Sequence, residues 1–181
     1  DVVGIDTGCH AEAVMADGFP DRMKPSYKNV IAYQYEAKRF GQKNGKGFYN
    51  YTQDPKGKPK KEINPEVFGV IQQALAPESE RPKGEVTDQE IIERMMLPMI
   101  FESSRCLEDK IVATPMELDL ALIYGLGFPP FRGGPLSHID SVGVKQFAAR
   151  CAALAGQYGQ RFAAPALLTT MAEQGEPFYR S

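Results

Sequence analysis

The side chains of this 181-residue chain that could carry out acid–base chemistry are few and far apart along the sequence. The histidines are His10 and His138, and His138 lies two positions before Asp140. A histidine beside a carboxylate could act as a general base, so this pair would make the chain a small enzyme. His10 lies beside Cys9 and near Glu12, but adjacent positions of a helix do not face each other. A structural role is therefore favoured for both histidines, and no catalytic residue is predicted.

The cysteines do not form a metal-binding pattern either. Cys9, Cys106 and Cys151 are odd in number and widely separated, whereas metal sites use closely spaced ligands. Such a distribution is typical of free thiols in a reducing compartment, so we expect a cytoplasmic location. No metal-binding residue is predicted.

Two glycine-rich segments invite comparison with nucleotide-binding loops. Residues 41–47 contain three glycines, and backbone amides in such turns can hold phosphate groups. The glycine spacing differs from that of a phosphate-binding loop, and Lys46 is followed by Gly47 instead of Ser or Thr. Residues 125–127 follow a predicted helix instead of a strand, and two prolines come soon after them. Both segments are therefore interpreted as structural turns, and no cofactor-binding residue is predicted.

The charge and hydropathy of the chain exclude several kinds of partner. A net charge of −2 provides no general attraction for nucleic acid. The sequence has no run of about 18 apolar residues that would predict a transmembrane helix. A basic run between Lys56 and Lys61 lacks interleaved aromatic residues, which is typical of a solvated loop. Tyr124 lies in an apolar segment and is most simply interpreted as a core aromatic.

Hydrophobic periodicity and capping signals predict a mainly α fold with one short strand. Capping boxes are predicted where Thr87 precedes Glu90 and where Thr114 precedes Glu117. Gly125 is the expected left-handed cap at the end of the second of these helices. Helices are expected over residues 2–15, 30–38, 64–76, 87–107, 114–125, 144–155 and 165–171, and the strand over residues 48–52.

A short pattern occurs twice in the chain, in the same order. Residues 1–5 (DVVGI) match residues 140–144 (DSVGV), and residues 45–49 (GKGFY) match residues 175–179 (GEPFY). The period is too long for a solenoid and indicates a duplicated domain. A long helical segment precedes the second copy and nothing precedes the first, so we interpret the first copy as cut off and the chain as the tail of a larger polypeptide. The predicted organisation is a first domain over residues 1–76, a charged linker over residues 77–86 and a second domain over residues 87–181.

Three segments resemble a known family. Residues 40–49 (FGQKNGKGFY) resemble the closing motif of the C-terminal domain of 3-hydroxyacyl-CoA dehydrogenases, and residues 1–7 (DVVGIDT) resemble the helix start before it. Residues 124–135 (YGLGFPPFRGGP), with Ile139 and Asp140, resemble the second, duplicated copy of that domain. The duplicated arrangement resembles that of the multifunctional α-subunit of the bacterial fatty acid β-oxidation complex.

The resemblance implies a helical fold of the 6-phosphogluconate dehydrogenase C-terminal type and a parent enzyme with several activities. Such α-subunits join an enoyl-CoA hydratase/isomerase domain and an NAD-binding Rossmann domain to two helical domains. They oxidise L-3-hydroxyacyl-CoA with NAD and work with a thiolase β-subunit. Their catalytic His–Glu pair and glycine-rich NAD loop lie before the helical domains. The resemblance therefore implies that this chain is itself not catalytic and binds no NAD.

For the residues of this chain, the resemblance implies one substrate contact, Tyr124. A substrate-contacting Asn of the family, in an Asn-Arg pair, is replaced in the second copy by Glu93 before Arg94, so this copy is not expected to form its own site. The implied roles are interdomain packing, oligomer contacts and one wall of the acyl-CoA pocket, with a dimer or higher oligomer in solution. The alternative is a free-standing helical interaction module without enzymatic activity.

Overall fold

The computed structural model describes residues 1–75, residue 81 and residues 84–179. The chain forms two compact units, Asp1–Glu78 (unit 1) and Ser79–Ser181 (unit 2). The division between them falls inside the predicted linker, and most of that linker lies outside the described residues. The predicted domain limits themselves stay a prediction.

Unit 1, in its described part, contains three α-helices and a two-stranded antiparallel sheet. The second helix begins where the side chain of Asn29 accepts hydrogen bonds from the backbone N–H groups of Ile31 and Ala32, which satisfies donors that a helix start leaves free. The elements are α1 (Ile5–Gly18), α2 (Val30–Glu36), β1 (Tyr49–Gln53), β2 (Pro59–Ile63) and α3 (Glu66–Gln73).

The second strand of this sheet corrects the prediction of one short strand followed by a polar loop. β2 pairs with β1 in antiparallel register, with Tyr49 opposite Ile63. The carboxylate of Asp54 accepts hydrogen bonds from the backbone N–H groups of Lys56 and Lys58 at 2.8 Å each and fixes the turn between the strands. β2 has no apolar alternation, so its strand conformation depends on pairing with β1 and could not be read from its own residues.

A buried arginine ties the loop after α2 to α3. The guanidinium of Arg39 donates to Glu66 Oε2 at 2.6 Å and to the carbonyl oxygen of Gly47 at 3.1 Å. Hydrogen bonding from this guanidinium holds the pKa of Glu66 below its usual range. Within the glycine-rich segment, Gly41 has a φ of 95° and Gly45 a φ of 82° around a short 3₁₀ turn, which confirms the interpretation as a structural turn.

Unit 2 is helical throughout the elements that the structure describes. Its helices are α4 (Asp88–Glu108), α5 (Pro115–Leu126), α6 (Pro135–Val142), α7 (Val144–Tyr158) and α8 (Ala166–Gln174). They enclose one apolar core, to which all five helices contribute. Its fully buried apolar side chains include Leu136, Ile139, Cys151, Leu154, Phe162 and Leu168. The mainly α fold predicted from the sequence is confirmed.

Local hydrogen bonds set both the start and the end of α5. Thr114 Oγ1 accepts from the N–H of Glu117 at 3.2 Å, and Glu117 Oε2 accepts from the N–H of Thr114 at 3.1 Å, which confirms the predicted capping box. The helix ends at Gly127, whose φ is 73°, so the prediction that Gly125 is the left-handed cap is wrong. The left-handed turn forms two residues later, where the amide of the buried Phe128 donates to the carbonyl oxygen of Leu122 in α5 at 3.1 Å.

The capping box predicted at the start of α4 forms only in part. Thr87 Oγ1 accepts from the N–H of Glu90 at 3.2 Å, as expected for the first half of the box. The carboxylate of Glu90 instead accepts a hydrogen bond from the hydroxyl of Tyr158 in α7. This hydrogen bond raises the pKa of Tyr158. A tertiary partner has therefore replaced the local one.

Candidate functional site

Each unit contains an aspartate whose carboxylate accepts hydrogen bonds from two consecutive backbone amides. In unit 1, Asp1 Oδ1 and Oδ2 accept from the N–H groups of Phe48 and Tyr49 at 3.0 Å each. In unit 2, Asp140 Oδ1 and Oδ2 accept from the Phe-Tyr pair at residues 178–179, at 2.9 and 2.8 Å. We call these two arrangements the aspartate clamps. The aspartate and the Phe-Tyr pair that recur in the sequence repeat therefore bind each other, once in each unit.

A second carboxylate of unit 2 organises the start of α6. Asp119 in α5 is 2% exposed and accepts from the N–H groups of Leu136 and Ser137 at 2.9 Å each. Because a helix start carries free donors and a partial positive charge, Asp119 caps α6 from outside that helix. The hydroxyl of Tyr179 also donates to Asp119, at 2.8 Å. Burial and this hydrogen bond raise the pKa of Tyr179 well above its usual range.

Tyr124, the residue that the resemblance implies as a substrate contact, lies on an exposed apolar face of α5. Its side chain is 85% exposed, so the interpretation as a core aromatic is wrong. Met116 and Leu120 lie two turns and one turn before it on the same side of the helix, and both are exposed. We call these three side chains the α5 apolar face. Phe131, in the segment after the helix, is 83% exposed as well.

The α5 apolar face carries no charged side chain. The two acidic residues of α5 serve other purposes, since Glu117 completes the capping box and Asp119 caps α6. On the opposite side of the helix, Leu118 is buried in the core of unit 2. α5 is thus apolar on two sides, and helices of that kind are normally buried within a larger assembly.

The position where the family has its Asn-Arg pair is occupied by residues that hold unit 2 together. The carboxylate of Glu93 pairs with Arg150 in α7 at 2.6 Å. The guanidinium of Arg94 lies 4.0 Å from the ring centroid of Tyr158 and 5.9 Å from that of Phe162. Both side chains therefore join α4 to the α7 region.

The structure does not assemble the acid–base candidates into a catalytic pair. Both carboxylate oxygens of Asp140 accept hydrogen bonds from the clamp amides, and within the described part of the chain no hydrogen bond or ion pair joins Asp140 to His138. Burial, with a smaller effect of the positive charge of Arg132, lowers the pKa of His138. The glutamate near the other histidine, Glu12, accepts from the side-chain amide of Asn29 and joins α1 to α2.

The thiols and carboxylates of the described residues form no further reactive group. All three cysteines are free thiols, as predicted, and burial raises the pKa of the Cys151 thiol to about 12. Across residues 1–75, 81 and 84–179, no three His, Cys, Asp or Glu side chains come together in a way that could hold a metal ion. In the same part of the chain, no helix combines the length and the apolar character needed to cross a bilayer.

The glycine-rich turn of unit 1 closes around Asp1. A Cβ atom at Gly41 would lie 2.3 Å from the backbone oxygen of Asp1, and one at Gly47 would lie 2.3 Å from its carboxylate. The amide of Gln42 donates to the same backbone oxygen at 3.0 Å. This turn therefore holds an aspartate of its own unit.

The family model of the 3-hydroxyacyl-CoA dehydrogenase C-terminal domain matches this chain over residues 1–51 and over residues 91–180. Each matched segment contains one aspartate clamp. The chain belongs to the 3-hydroxyacyl-CoA dehydrogenase C-terminal domain family. The family and the duplicated helical fold that the sequence motifs resemble are thereby confirmed.

Curated members that resemble this dehydrogenase C-terminal chain are named fatty acid oxidation complex subunit alpha. The protein of Acinetobacter baylyi is 54% identical over 179 residues, and that of Pseudomonas savastanoi pv. phaseolicola is 52% identical over 182 residues. A Psychrobacter protein is 49% identical over 179 residues. Each alignment covers 99% of this chain and 24% of the relative, so the chain spans about a quarter of their length.

A solved structure shares the fold of this dehydrogenase C-terminal chain. It is the dehydrogenase part of multifunctional enzyme 1 from C. elegans, with a TM-score of 0.60 and 21% sequence identity. The similarity covers 92% of this chain and 36% of that one. At this level of identity, the comparison establishes the helical fold alone.

Sequence reasoning missed the two carboxylates that organise this dehydrogenase C-terminal fold in unit 2. As a chemical group, Asp140 is predicted from the sequence only as a partner of His138, and no sequence pattern above names Asp119. A signal for the first was present, because an aspartate and a Phe-Tyr pair recur together in both copies. A signal for the second was Pro135 after two glycines, since proline in the first position of a helix marks a start that needs a cap.

Proposed function

We propose that this chain is the C-terminal, non-catalytic helical part of a fatty acid β-oxidation α-subunit. In the complete enzyme it would support the NAD-dependent oxidation of L-3-hydroxyacyl-CoA, beside an enoyl-CoA hydratase activity of the same polypeptide. Membership of the dehydrogenase C-terminal family supports this proposal, as do relatives about four times as long that are named for fatty acid oxidation. The base that takes the 3-hydroxyl proton and the residues that hold NAD would lie outside this chain.

The observation that carries the proposal is the α5 apolar face. A charge-free face of Met116, Leu120 and Tyr124 is suited to packing against another apolar surface of a larger protein. Within that arrangement Tyr124 would form part of one wall of the acyl-CoA pocket, since it offers both an apolar ring and a hydroxyl. The other parts of the α-subunit, a thiolase β-subunit and a second copy of the protein are the proposed partners.

A chimera tests the proposal directly. The segment of the Acinetobacter baylyi α-subunit that aligns with this chain would be replaced by this chain, and NADH formation from a 3-hydroxyacyl-CoA would be measured. We expect the chimera to retain dehydrogenase turnover and the isolated 181-residue chain to show none. Turnover by the isolated chain, or a folded chimera without turnover, would contradict the proposal.

The same chimera tests the role of Tyr124. Tyr124→Ala should raise the KM for the acyl-CoA substrate about fivefold and change kcat little, because a pocket wall contributes to binding in the ground state and the transition state alike. Tyr35→Ala is the matched control, since Tyr35 is an exposed tyrosine of unit 1. Equal kinetic effects of the two substitutions would contradict the proposal that Tyr124 forms part of the acyl-CoA pocket.

The alternative function is a helical interaction module without enzymatic activity, and the same exposed face of α5 favours it. The activity of the chimera distinguishes this alternative from the proposed role in a dehydrogenase. A module unrelated to the dehydrogenase should leave the chimera folded but inactive, whereas a genuine C-terminal part should restore the activity.

A further inference from the structure

The glycine-rich turn of unit 1 contains a chemically labile dipeptide. Asn44 precedes Gly45, and no other asparagine of the sequence precedes a glycine. The backbone nitrogen of the following residue can attack an asparagine side chain, and glycine offers that nitrogen without a side chain to hinder it. Asn44 is exposed, whereas the remaining asparagines, Asn29, Asn50 and Asn64, are partly or fully buried. The dipeptide therefore combines a reactive residue pair with access for water.

The folded turn fixes the side-chain amide of Asn44. Its Oδ1 atom accepts from the N–H of Phe40 at 3.1 Å, and its Nδ2 atom donates to the carbonyl oxygen of Lys38 at 2.7 Å. Asn44 ends the 3₁₀ turn Gln42–Asn44, and Gly45 follows with a φ of 82°. For the ring to close, the nitrogen of Gly45 must contact Cγ of Asn44, which requires a backbone rotation at Asn44 outside the 3₁₀ range. The closed turn therefore protects the dipeptide.

Contacts with Asp1 keep this turn closed. The backbone oxygen of Asp1 accepts from the N–H of Gln42 at 3.0 Å. Beside it, the N–H of Gly41 donates to the carbonyl oxygen of Lys46 at 2.7 Å. The carboxylate of Asp1 holds the segment after the turn through the aspartate clamp of unit 1. Because Asp1 is bonded to residues on both sides of Asn44, loss of its contacts would allow the turn to open locally.

Unit 2 closes its own aspartate clamp beside a much less reactive dipeptide. In the sequence repeat, Gly175 matches Gly45, so Gln174 lies where unit 1 has Asn44. Gly175 also has a positive φ, 73°, at the end of α8. The longer side chain of glutamine would have to form a six-membered ring, which closes far more slowly than the five-membered ring of asparagine. Unit 2 is therefore an internal control for unit 1.

We propose that Asn44–Gly45 is a site of spontaneous deamidation that the aspartate clamp of unit 1 keeps protected. When the turn opens, the nitrogen of Gly45 bonds to Cγ of Asn44, the Cγ–Nδ2 bond breaks, and ammonia leaves with the amide proton of Gly45. Water then opens the five-membered imide, at Cγ to give aspartate or at the main-chain carbonyl to give isoaspartate. The reaction consumes only water and changes no oxidation state. It is independent of the proposed function.

Either product prevents the turn from closing as before. In aspartate, a carboxylate oxygen replaces Nδ2 beside the carbonyl oxygen of Lys38, so two acceptors meet where a hydrogen bond existed. In isoaspartate, the main chain runs through the side-chain carbons, and the extra methylene disrupts the 3₁₀ turn. Lys38 has a φ of 53°, which is uncommon for a residue other than glycine, and it loses a contact that holds this conformation. Opening of the turn thus becomes a permanent chemical change.

Incubation of the 181-residue chain at mildly alkaline pH, followed by peptide mass spectrometry, tests the site. Deamidation at Asn44 should be about tenfold slower in the folded chain than in the urea-unfolded chain, because the rate follows the population of the open turn. In the folded chain, Asp1→Ala should raise the rate about fivefold, because the clamp and its charged hydrogen bonds are lost. Asp140→Ala removes the clamp of unit 2 instead and should leave the rate within about twofold of the parent chain.

Hydrogen exchange at the amide of Gly41 measures opening of the turn independently. Across urea concentrations below the unfolding transition, this exchange and deamidation at Asn44 should accelerate by the same factor, since both require the open turn. Asn44→Asp reproduces the aspartyl product and should accelerate the exchange about fivefold, because the donor to Lys38 is lost. Gln42→Glu adds the same charge at an exposed position of the turn and should change the exchange less than about twofold.

Several results would overturn the site. These are equal deamidation rates in the folded and unfolded chains, no deamidation at Asn44 in the unfolded chain, or deamidation at Asn29 or Asn50 as fast as at Asn44. Equal rates in the folded parent chain and a folded Asp1→Ala variant would overturn the protection by the clamp. If Asp1→Ala unfolds unit 1, the urea series of the parent chain decides. Deamidation that stays constant while exchange at Gly41 accelerates would then reject the proposal.

Discussion

At the scale of single residues, carboxylates hold this structure together by accepting backbone amides. Asp1 and Asp140 each bind two consecutive N–H groups, and Asp119 binds two more at the start of α6. A carboxylate is suited to this purpose because it offers two oxygen acceptors at a fixed spacing and a negative charge that strengthens each hydrogen bond. The same chemistry explains why both copies of the repeat begin with aspartate.

Replacement of Asp140 should loosen the end of unit 2. Hydrogen bonds to charged acceptors contribute about 1.5–3 kcal/mol each, so Asp140→Ala should lower the free energy of unfolding by about 3 kcal/mol. Hydrogen exchange at the amides of Phe178 and Tyr179 should accelerate, and Asp140→Asn should have a smaller effect because it keeps one oxygen acceptor. Asp109→Ala, at an exposed carboxylate after α4, is the control. Unchanged exchange at residues 178–179 in Asp140→Ala would show that the clamp contributes nothing.

The hydroxyl of Tyr179 should make the stability of unit 2 sensitive to alkaline pH. Burial and the hydrogen bond to Asp119 raise the pKa of Tyr179 in the folded protein, while an unfolded tyrosine has a pKa of about 10. The protonated form is thus the one that folding favours, so the contribution is complete below about pH 10 and is lost as the pH rises further towards the folded pKa.

Urea unfolding of Tyr179→Phe tests this pH dependence. The variant should be less stable than the parent chain by about 1 kcal/mol at pH 7, because the hydrogen bond to Asp119 is lost. Above about pH 10 the difference should shrink, since the parent chain loses the same contribution by deprotonation. Tyr124→Phe, at an exposed hydroxyl, should match the parent chain at both pH values. A difference that stays constant up to pH 11 would contradict the assignment.

At the scale of secondary-structure elements, the two kinds of helix start have different origins. α5 begins with a box made by Thr114 and Glu117, which lie three positions apart. α6 begins with two glycines and a proline and obtains its cap from Asp119, 17 positions before the amide of Leu136. Gly134 has a φ of 111°, and a Cβ atom there would lie 2.2 Å from Asp119 Cγ. The approach of Asp119 to α6 therefore requires glycine at this position.

Gly134→Ala should consequently destabilise unit 2 by about 3 kcal/mol, because it adds backbone strain and displaces the cap of α6. Gly125→Ala is the matched control, since Gly125 lies inside α5 and a Cβ atom there meets nothing within 4 Å. The control should stabilise the protein by about 0.5–1 kcal/mol, because alanine is the better residue in a helix interior. Thermal unfolding of the two variants measures both effects, and a neutral Gly134→Ala would refute the close packing of Asp119.

At the scale of the whole molecule, the distribution of exposed apolar side chains indicates a surface that associates. The α5 apolar face contains no charge, and the nearby Phe131 is exposed as well. Solvent-exposed apolar patches of this kind favour contact with another protein surface. For the 181-residue chain in solution, we expect a dimer or a higher oligomer.

Leu120→Glu should shift this association towards monomer. The substitution places a charge in the middle of the α5 apolar face, and burial of an unpaired charge in an interface costs several kcal/mol. Sedimentation velocity over a range of concentrations should show about a tenfold weaker association than in the parent chain. Ala149→Glu adds the same charge on an exposed position of α7 and should leave the association unchanged. A parent chain that is monomeric at every concentration would refute the prediction.

The features that the sequence predicted correctly depend on residues close together along the chain. The capping box of α5, the turn of the glycine-rich segment and the mainly helical fold follow from spacings of a few positions, where side-chain and backbone hydrogen bonds form locally. The repeat was also visible, because it needs only a comparison of residue types. The location of Tyr124 in an apolar helix could be predicted, but its exposure could not.

By itself, the sequence determined the approximate positions of the described α-helices except α6, that two related units follow one another, and that the chain belongs with dehydrogenase C-terminal domains. Tertiary structure alone decided which polar groups meet. The hydroxyl of Tyr179 donates to Asp119, which lies 60 positions earlier in the chain. β2 is a strand because it pairs with β1. The carboxylate of Glu90 accepts from Tyr158 instead of completing its local capping box. The physical reason is that local hydrogen bonds need only a few neighbouring residues, whereas these contacts exist only after the core has brought distant segments together.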